Sequence, residues 1–302
     1  MLTIGLVGCG KWGKNILRDL RTLGCLVLVV ALSSESRERA MALGAERVFA
    51  SSEELPSCDG YVIATPIPVL AQETPKLLPR GVPIFSEKTL CPTMAVAEEL
   101  ASAGCEGQVF VMHKWEYHRG IHTLRSIADS GRIGELEQVS CVRHGWKSNT
   151  QGVDVLTSWA IHDLSIVRHI LGAIPAPEFS VIRRARGLPI ALRAVLGEGP
   201  RAFLSVDFTH PQHMRSVCLH GTGGAALLPD AYADHILVRD YTGEERIPFD
   251  NTMPLYEELK EFVEYLQGGP KPRCGFGHAR EAAMALDALR QADRSMSRVA
   301  SI

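Results

Sequence analysis

Residues 2–23, LTIGLVGCGKWGKNILRDLRTL, join an uncharged apolar run to an amphipathic stretch through Gly8-Cys9-Gly10-Lys11-Trp12-Gly13. The apolar run reads as a buried strand and NILRDLRTL as a helix, so the glycines occupy a strand-to-helix turn. Each glycine has a task there. Gly8 makes the tight turn, Gly10 lets the backbone approach a pyrophosphate, and Gly13 lets the helix pack closely on the strand. Phosphates would lie on the helix N-terminus, where unbonded N–H groups and the helix dipole favour negative charge. Lys11 and Trp12, inside the same turn, belong to the same expected dinucleotide site.

The same grammar continues to about His113. The apolar runs LTIGLV, CLVLVVAL, DGYVIAT, VPIFSEK and QVFVMH are separated by helical patterns such as NILRDLRTL, ESRERAMAL and MAVAEELASA. Such runs with helices between them require a parallel sheet covered on both faces, so residues 1–117 read as a doubly wound α/β Rossmann domain. After Tyr117 the pattern changes. A helix from Ile121 to Ser130, the strand GELEQVSCVRHGW and a long helix from Val153 to Leu171 precede the strands EFSVIRRAR, RAFLSVDF, SVCLHG and HILVRD. This predicts a second α/β domain, residues 118–302, with a large, mostly antiparallel open sheet. Helices from Met253 to Gln267 and from His278 to Ser297 end the chain. His210-Pro-Gln-His213 reads as a turn, and His220 and His235 as structural histidines on strands.

Composition removes several classes of function. The 302 residues are 46% hydrophobic and 22% charged, which is enough for a large core. A net charge of −2, a pI near 6.6 and scattered Lys and Arg leave no basic field for nucleic acid or an anionic membrane. The 8 cysteines contain no CxxC pair and no metal-ligand spacing, so neither a disulfide framework nor a metal site is expected. The longest uncharged apolar run, Leu23 to Ser34, is well short of the roughly 20 residues of a membrane span. A soluble, cytoplasmic protein with reduced thiols is the expectation.

Two further strand ends carry polar groups. DGYVIAT runs into Thr65-Pro66, and VPIFSEK ends in Glu87-Lys88; in an open parallel sheet, carboxyl ends of strands face the ligand crevice. Cofactor choice is read at the end of the second run, Ala31-Leu32-Ser33-Ser34-Glu35-Ser36-Arg37. The small hydroxyls of Ser33 and Ser34 followed by Arg37 leave room and charge for a 2′-phosphate, which favours NADP; Glu35 leaves NAD as the alternative. In the bland reading, Ser33 or Ser34 caps the next helix and Arg37 is solvated.

Together these motifs resemble the Gfo/Idh/MocA family of glucose-fructose oxidoreductase, inositol dehydrogenase and the rhizopine-catabolism oxidoreductases. The resemblance covers almost the whole chain. It includes a second-domain helix with a His162-Asp163 step, the segment Pro254-Leu255-Tyr256-Glu257-Glu258-Leu259 and the final helix at Ala285-Leu286-Asp287-Ala288. It implies an NAD(P)-dependent oxidoreductase interconverting a secondary alcohol and a ketone on a sugar, polyol or nucleotide-activated sugar. Lys88 would orient and polarise the substrate oxygen, and His162 would exchange its proton. Lys114, Trp115, Tyr117 and His118 lie where the family lines its substrate pocket, with Trp146, Ser158 and Trp159 nearby; aromatic faces suit sugar rings. At helical spacing Asp154, Ser158, His162, Ser165 and His169 form one polar stripe. Relatives cover the open sheet by pairing subunits, so a homodimer or homotetramer is implied. Two alternatives stay open: a reductase of a C=N or conjugated bond, biliverdin-reductase-like, and a nicotinamide-binding sensor without turnover.

Overall fold

A computed structural model of the chain describes residues 1–147, 152, 154–250 and 252–299. The chain divides into two compact units, Met1–Lys114 with Met253–Arg280, and Trp115–Thr252 with Glu281–Ile302. In the first unit, strands β1 (Thr3–Val7), β2 (Leu26–Val30), β3 (Arg47–Phe49), β4 (Gly60–Ile63), β5 (Ile84–Ser86) and β6 (Val109–Val111) form a parallel sheet in the order β3-β2-β1-β4-β5-β6. This is a Rossmann order, and the direction of winding reverses between β1 and β4. Helices α1 (Gly13–Thr22), α2 (Ser34–Ala42), α3 (Ile67–Leu77) and α4 (Met94–Ser102) make the crossovers. Every residue of β4, β5 and β6 is buried, as burial on both faces demands. β3 and α3 are additions to the sequence reading. β3 has only three residues, and α3 carries Pro68 in its first turn and Pro75 inside, residues that read as helix breakers when local pattern alone is used.

The second unit is an eight-stranded sheet in the order β14-β13-β12-β11-β7-β10-β9-β8. Its strands are β7 (Leu136–Trp146), β8 (Pro177–Ala185), β9 (Leu188–Leu196), β10 (Arg201–Asp207), β11 (Thr209–Gly221), β12 (Gly224–Leu228), β13 (His235–Asp240) and β14 (Gly243–Pro248). Only the β7–β10 pair is parallel. Helix α5 (Arg119–Asp129), a π-helical turn over Leu156–Ala160, helix α6 (Ile161–Leu171) and the later part of α8 (Phe276–Val299) share one core with the sheet through Leu124, Leu164, Leu286 and Leu289. Val153, where the sequence places the start of the long helix, lies outside the described residues. His210 and His213 sit inside β11, where the register with β7 shifts between Thr209 and Met214, so the expected turn is a bulge within a strand.

Helix α7 (Pro254–Leu266) packs on the first unit, although the chain reaches it after the second sheet. Phe262 stacks on Phe85 of β5 with ring centroids 5.0 Å apart. A Cβ on Gly60 would lie 2.8 Å from Leu266 Cδ1, so only glycine admits the helix there. The helix also buries Glu258, which is 1% exposed and has no hydrogen-bond partner for Oε2 among the described residues. Burial, and then the charge of Glu87, push the Glu258 carboxyl well above the usual range, with Lys114 opposing and Glu261 adding. Burial raises Glu87 to about 6, against the charges of Lys88 and Lys114 and hydrogen bonds from the Lys88 backbone and Trp12. Both folded-state pKa values exceed the unfolded ones. The stability they contribute is therefore full below about pH 4.5 and is lost as pH rises through the folded values. Glu258→Gln removes one of these ionisations. Its stability relative to the parent chain should rise between pH 5 and pH 8, by an amount on the order of 1–3 kcal/mol for a buried charged group. Equal stability differences at both pH values would show that the Glu258 carboxyl is not raised in the folded chain.

Candidate active site

The glycine turn is built as its spacing predicts. Gly8 has φ +99°, and a Cβ there would lie 2.7 Å from Ala64 O at the end of β4. A Cβ on Gly13 would lie 2.1 Å from Gly8 O, so the first turn of α1 rests directly on the strand end. Nothing lies within 4 Å of a Cβ built on Gly10, which leaves that side of the backbone open to a ligand. No side chain caps the N-terminus of α1, and its first turn holds no acidic residue. A cavity of about 470 Å³ adjoins this turn, lined by Gly8 and Gly10, by Leu32, Ser33 and Ser36 beyond β2, and by Thr65 and Pro66 beyond β4. Thr65 Oγ1 is buried without a hydrogen-bond partner among the described residues. An open glycine, an uncapped helix N-terminus and an unsatisfied hydroxyl at the β1–β4 switch point fit the pyrophosphate and adenosine of a dinucleotide.

Around β2 the polar groups divide. Ser33 caps α2, its Oγ accepting from Ser36 N at 3.2 Å. Ser34 opens the helix and does not line the cavity. Arg37 turns back, Nε donating to Ala31 O at 2.9 Å. Arg39, which sequence reading missed, reaches the glycine turn: Nη1 donates to Cys9 O at 2.9 Å and Nη2 pairs with Glu35. The only local signal for it was the i,i+4 spacing from Glu35.

Beyond β5, Glu87 is buried and its Oε2 accepts from Lys88 N at 3.0 Å, closing a tight loop that presents Lys88 at the strand end. Lys114 Nζ lies 5.1 Å from the centroid of the Trp12 ring. Trp12, Glu87, Lys88 and Lys114 thus form one group in the first unit, whereas Lys11 is exposed.

In the second unit the π-helical turn brings Ser158 into register ahead of His162; such turns recur at functional sites. Ser158, His162 and Ser165 are buried, and Ser165 Oγ donates to His162 O at 2.7 Å. The other two members of the stripe depart from it. Asp154 Oδ1 accepts from Thr157 N at 2.8 Å and caps the turn, while His169 faces Glu116 at 3.4 Å and stacks on His122. Asp163 points to β7, where Arg143 forks onto it at 2.8–3.1 Å with both partners buried. Burial raises the Asp163 carboxyl, and the charge and hydrogen bonds of Arg143 oppose it, with the charge of Arg215 adding to them.

The aromatic residues are used differently from one another. Trp115 is part of the core, between His118 (ring centroids 4.9 Å apart) and the Arg143 guanidinium (4.7 Å). His118 caps α5 with Nδ1 and meets Ala231 O with Nε2. Tyr117 is buried. Trp159 packs edge-on against Phe208 at 4.6 Å. Trp146 is 70% exposed, and strand alternation sends it to the face of β7 opposite Arg143 and Gly145. Of these aromatic residues, Trp159 accompanies Ser158 and His162, whereas Trp115 and His118 have packing roles.

Comparison with known proteins agrees with this geometry. Residues 2–114 match the profile of the Gfo/Idh/MocA oxidoreductase family, NAD-binding Rossmann fold. An oxidoreductase of Streptococcus pneumoniae is 25% identical over 194 residues, a match that spans 58% of this chain and 52% of that one. Inositol 2-dehydrogenase of Ralstonia nicotianae is 26% identical over 337 residues, covering 97% of this chain and 94% of the relative. UDP-N-acetylglucosamine 3-dehydrogenase of Acidithiobacillus ferrooxidans superposes with a TM-score of 0.84 at 19% identity, over 97% of this chain and 98% of the other, and so shares the fold of both units. The chain is thus similar to the Gfo/Idh/MocA family of oxidoreductases over residues 2–114 and, through one relative, nearly end to end.

Proposed function

We propose that the protein is an NAD(P)-dependent dehydrogenase that interconverts a secondary alcohol and a ketone on a sugar, polyol or nucleotide-activated sugar. The observation that carries this reading is the buried Ser158–His162 pair on a helix whose next residue, Asp163, is clamped to the sheet. Imidazole is a side chain suited to exchanging a hydroxyl proton. A nicotinamide bound in the first unit would supply hydride transfer to or from the carbinol carbon. The chain supplies the rest. Gly8, Gly10 and the start of α1 hold the pyrophosphate, Lys88 orients and polarises the substrate oxygen, and His162 takes the hydroxyl proton in oxidation and returns it in reduction. Lys114, Ser158 and Trp159 line the substrate. The relatives' names support this substrate class, since one acts on inositol and another on a nucleotide sugar.

NADP is the preferred cofactor in this proposal. No carboxylate follows β2 in the segment Ala31-Leu32-Ser33-Ser34, the hydroxyl-bearing Ser33 and Ser36 line the cavity, and Glu35 is paired with Arg39. Self-pairing of the second sheet into a homodimer or homotetramer also belongs to the proposal. Its support is a row of outward residues across four strands, Phe179, Val195, Phe203 and Ser140, in which Phe179 and Phe203 are 38% and 36% exposed.

Five substitutions test these statements. In nicotinamide absorbance assays over a sugar panel, Lys88→Ala should lower kcat about 10²–10³-fold and His162→Asn about 10²–10⁴-fold. A parent chain that binds cofactor and turns over no sugar would favour a reductase of a C=N or conjugated bond, or a sensor, instead. Asp163→Asn should act on stability, leaving Arg143 buried without its counter-charge at a cost of about 3–5 kcal/mol in urea unfolding; loss of turnover at unchanged stability would place Asp163 in the chemistry. Ser33→Asp should shift the kcat/KM ratio at least about tenfold from NADP towards NAD, because a carboxylate repels the 2′-phosphate and bonds the ribose. Phe203→Glu should give a monomer in sedimentation if the row is an interface, and a parent chain that is itself monomeric would refute the pairing.

A further inference from the structure

Glu87 is tied to two segments of the first unit at once, and the proposed chemistry gives it no task. Its backbone extends the pairing of β4 with β5, Glu87 N donating to Ile63 O at 2.8 Å. The residue is 8% exposed. Its Oε2 accepts from Lys88 N at 3.0 Å, and the Trp12 side chain donates its indole N–H to the same carboxylate. Trp12 occupies the N-cap position of α1, where its own O accepts from Asn15 N at 2.9 Å. One carboxylate therefore holds both the start of the helix on which phosphates would lie and the backbone of the lysine that would meet the substrate oxygen.

The charges around it decide what this corner does. Facing Glu87 are Lys88 on its own loop, Lys114 after β6, with Nζ 5.1 Å from the centroid of the Trp12 ring, and Glu258 from α7, with Glu261 beyond it. Burial pushes the Glu87 carboxyl up to about 6, and the two ammonium groups oppose that rise. Glu258 Oε2 is buried without a partner among the described residues, and the charge of Glu87 raises its carboxyl, so ionisation of one acid opposes ionisation of the other. Two carboxyls buried at one corner cost stability, and such groups concentrate at working sites. A neutral amide of the same shape would accept from Lys88 N and Trp12 through its carbonyl, so what the carboxylate adds is charge, which strengthens both bonds. We propose that Glu87 is a positioning residue whose charge locks Trp12 and Lys88 together, so that the start of α1 and the lysine act as one unit and both loosen when that charge is lost. The Lys88 half of this rests on the reading of Lys88 as the group that polarises the substrate oxygen; the Trp12 half does not.

The test uses Glu87→Gln, Trp12→Phe and the double variant, each checked for folding by urea unfolding. In the chain alone, Trp12 emission, taken as the parent minus Trp12→Phe, should change as pH falls through about 6, and the same difference on the Glu87→Gln background should stay flat. In titration calorimetry with NAD and NADP at pH 8, each single variant should raise the cofactor Kd about 3–10-fold, and the double variant should fall within about threefold of either, because both act through one bond. As pH falls to 5 the parent should approach the Kd of Glu87→Gln; comparing chains at each pH cancels titration of the cofactor itself. Both single variants should also lower kcat, Glu87→Gln by about tenfold, although neither side chain is given a place on the substrate. Trp12 is 37% exposed, so Trp12→Phe carries the test if Glu87→Gln fails to fold. Additive effects in the double variant, or a Kd difference between parent and Glu87→Gln that is equal at pH 5 and pH 8, overturn the lock and leave the dehydrogenase reading intact. The expected Kd pattern without turnover of any substrate overturns that reading and the Lys88 half, and leaves the bond between Glu87 and Trp12 standing. A parent chain that binds neither cofactor overturns both.

Discussion

The first unit depends on one close approach, that of α1 to the turn leaving β1. A methyl group on Gly13 would sit 2.1 Å from the carbonyl of Gly8, inside any tolerable contact, so the helix starts directly against the strand end only because that position is glycine. From this contact follows the direction of α1, whose N-terminus carries no side-chain cap. The cavity beside it is the consequence of reversing the winding between β1 and β4 immediately next to that helix start. Fold and cavity are thus two results of one steric condition.

The second unit solves a different problem, that of holding a polar helix segment on an apolar sheet. Its device is the Arg143–Asp163 pair, buried on both sides. A pair of this kind adds little net stability, because desolvating two charges offsets most of their attraction. What it supplies is position, since each partner is intolerable without the other. The helix can slide or rotate only by exposing an unmatched charge to a dry interior. Ser158 and His162 inherit their fixed placement from that constraint. Glu258 is the contrasting case, a buried carboxylate with an unsatisfied oxygen and another carboxylate, Glu87, acting on it. Burial and the charge of Glu87 raise its carboxyl, whereas Asp163 has a guanidinium.

Legibility followed the range of the interactions. The β1–α1 junction could be read because strand, turn and helix are contiguous and each glycine's task is local. The parallel sheet of the first unit was readable because its buried strands have no polar alternation. Ser33 as a cap was one of two local readings, and the structure shows that cap. Helix α7 could be read as a helix, but its place could not, because Phe262 finds Phe85 across most of the chain. Arg39 was missed because its partner, Cys9 O, is 30 residues away. The stripe from Asp154 to His169 was drawn at uniform helical spacing, and the π-helical turn together with the pull of Glu116 on His169 removed its two ends.

The aromatic residues show why composition is a weaker guide than register. Trp115, Trp146 and Trp159 were grouped because they cluster in sequence and because aromatic rings suit sugars. Sheet geometry separates them. Trp115 lies in the core under Arg143, Trp146 emerges on the opposite face of β7, and Trp159 is left with Ser158 and His162. The same alternation that removes Trp146 delivers Lys147, its chain neighbour, to the inner face, where Nζ donates to Ser158 Oγ at 3.1 Å. A shift of one residue in β7 would exchange them, placing an indole against Ser158 and an ammonium on the open sheet. The parallel pairing of β7 with β10, from Gln138↔Arg201 to His144↔Asp207, holds that register over seven pairs. Which side chain of this strand meets Ser158 is in this sense set by a strand alignment that no single motif encodes.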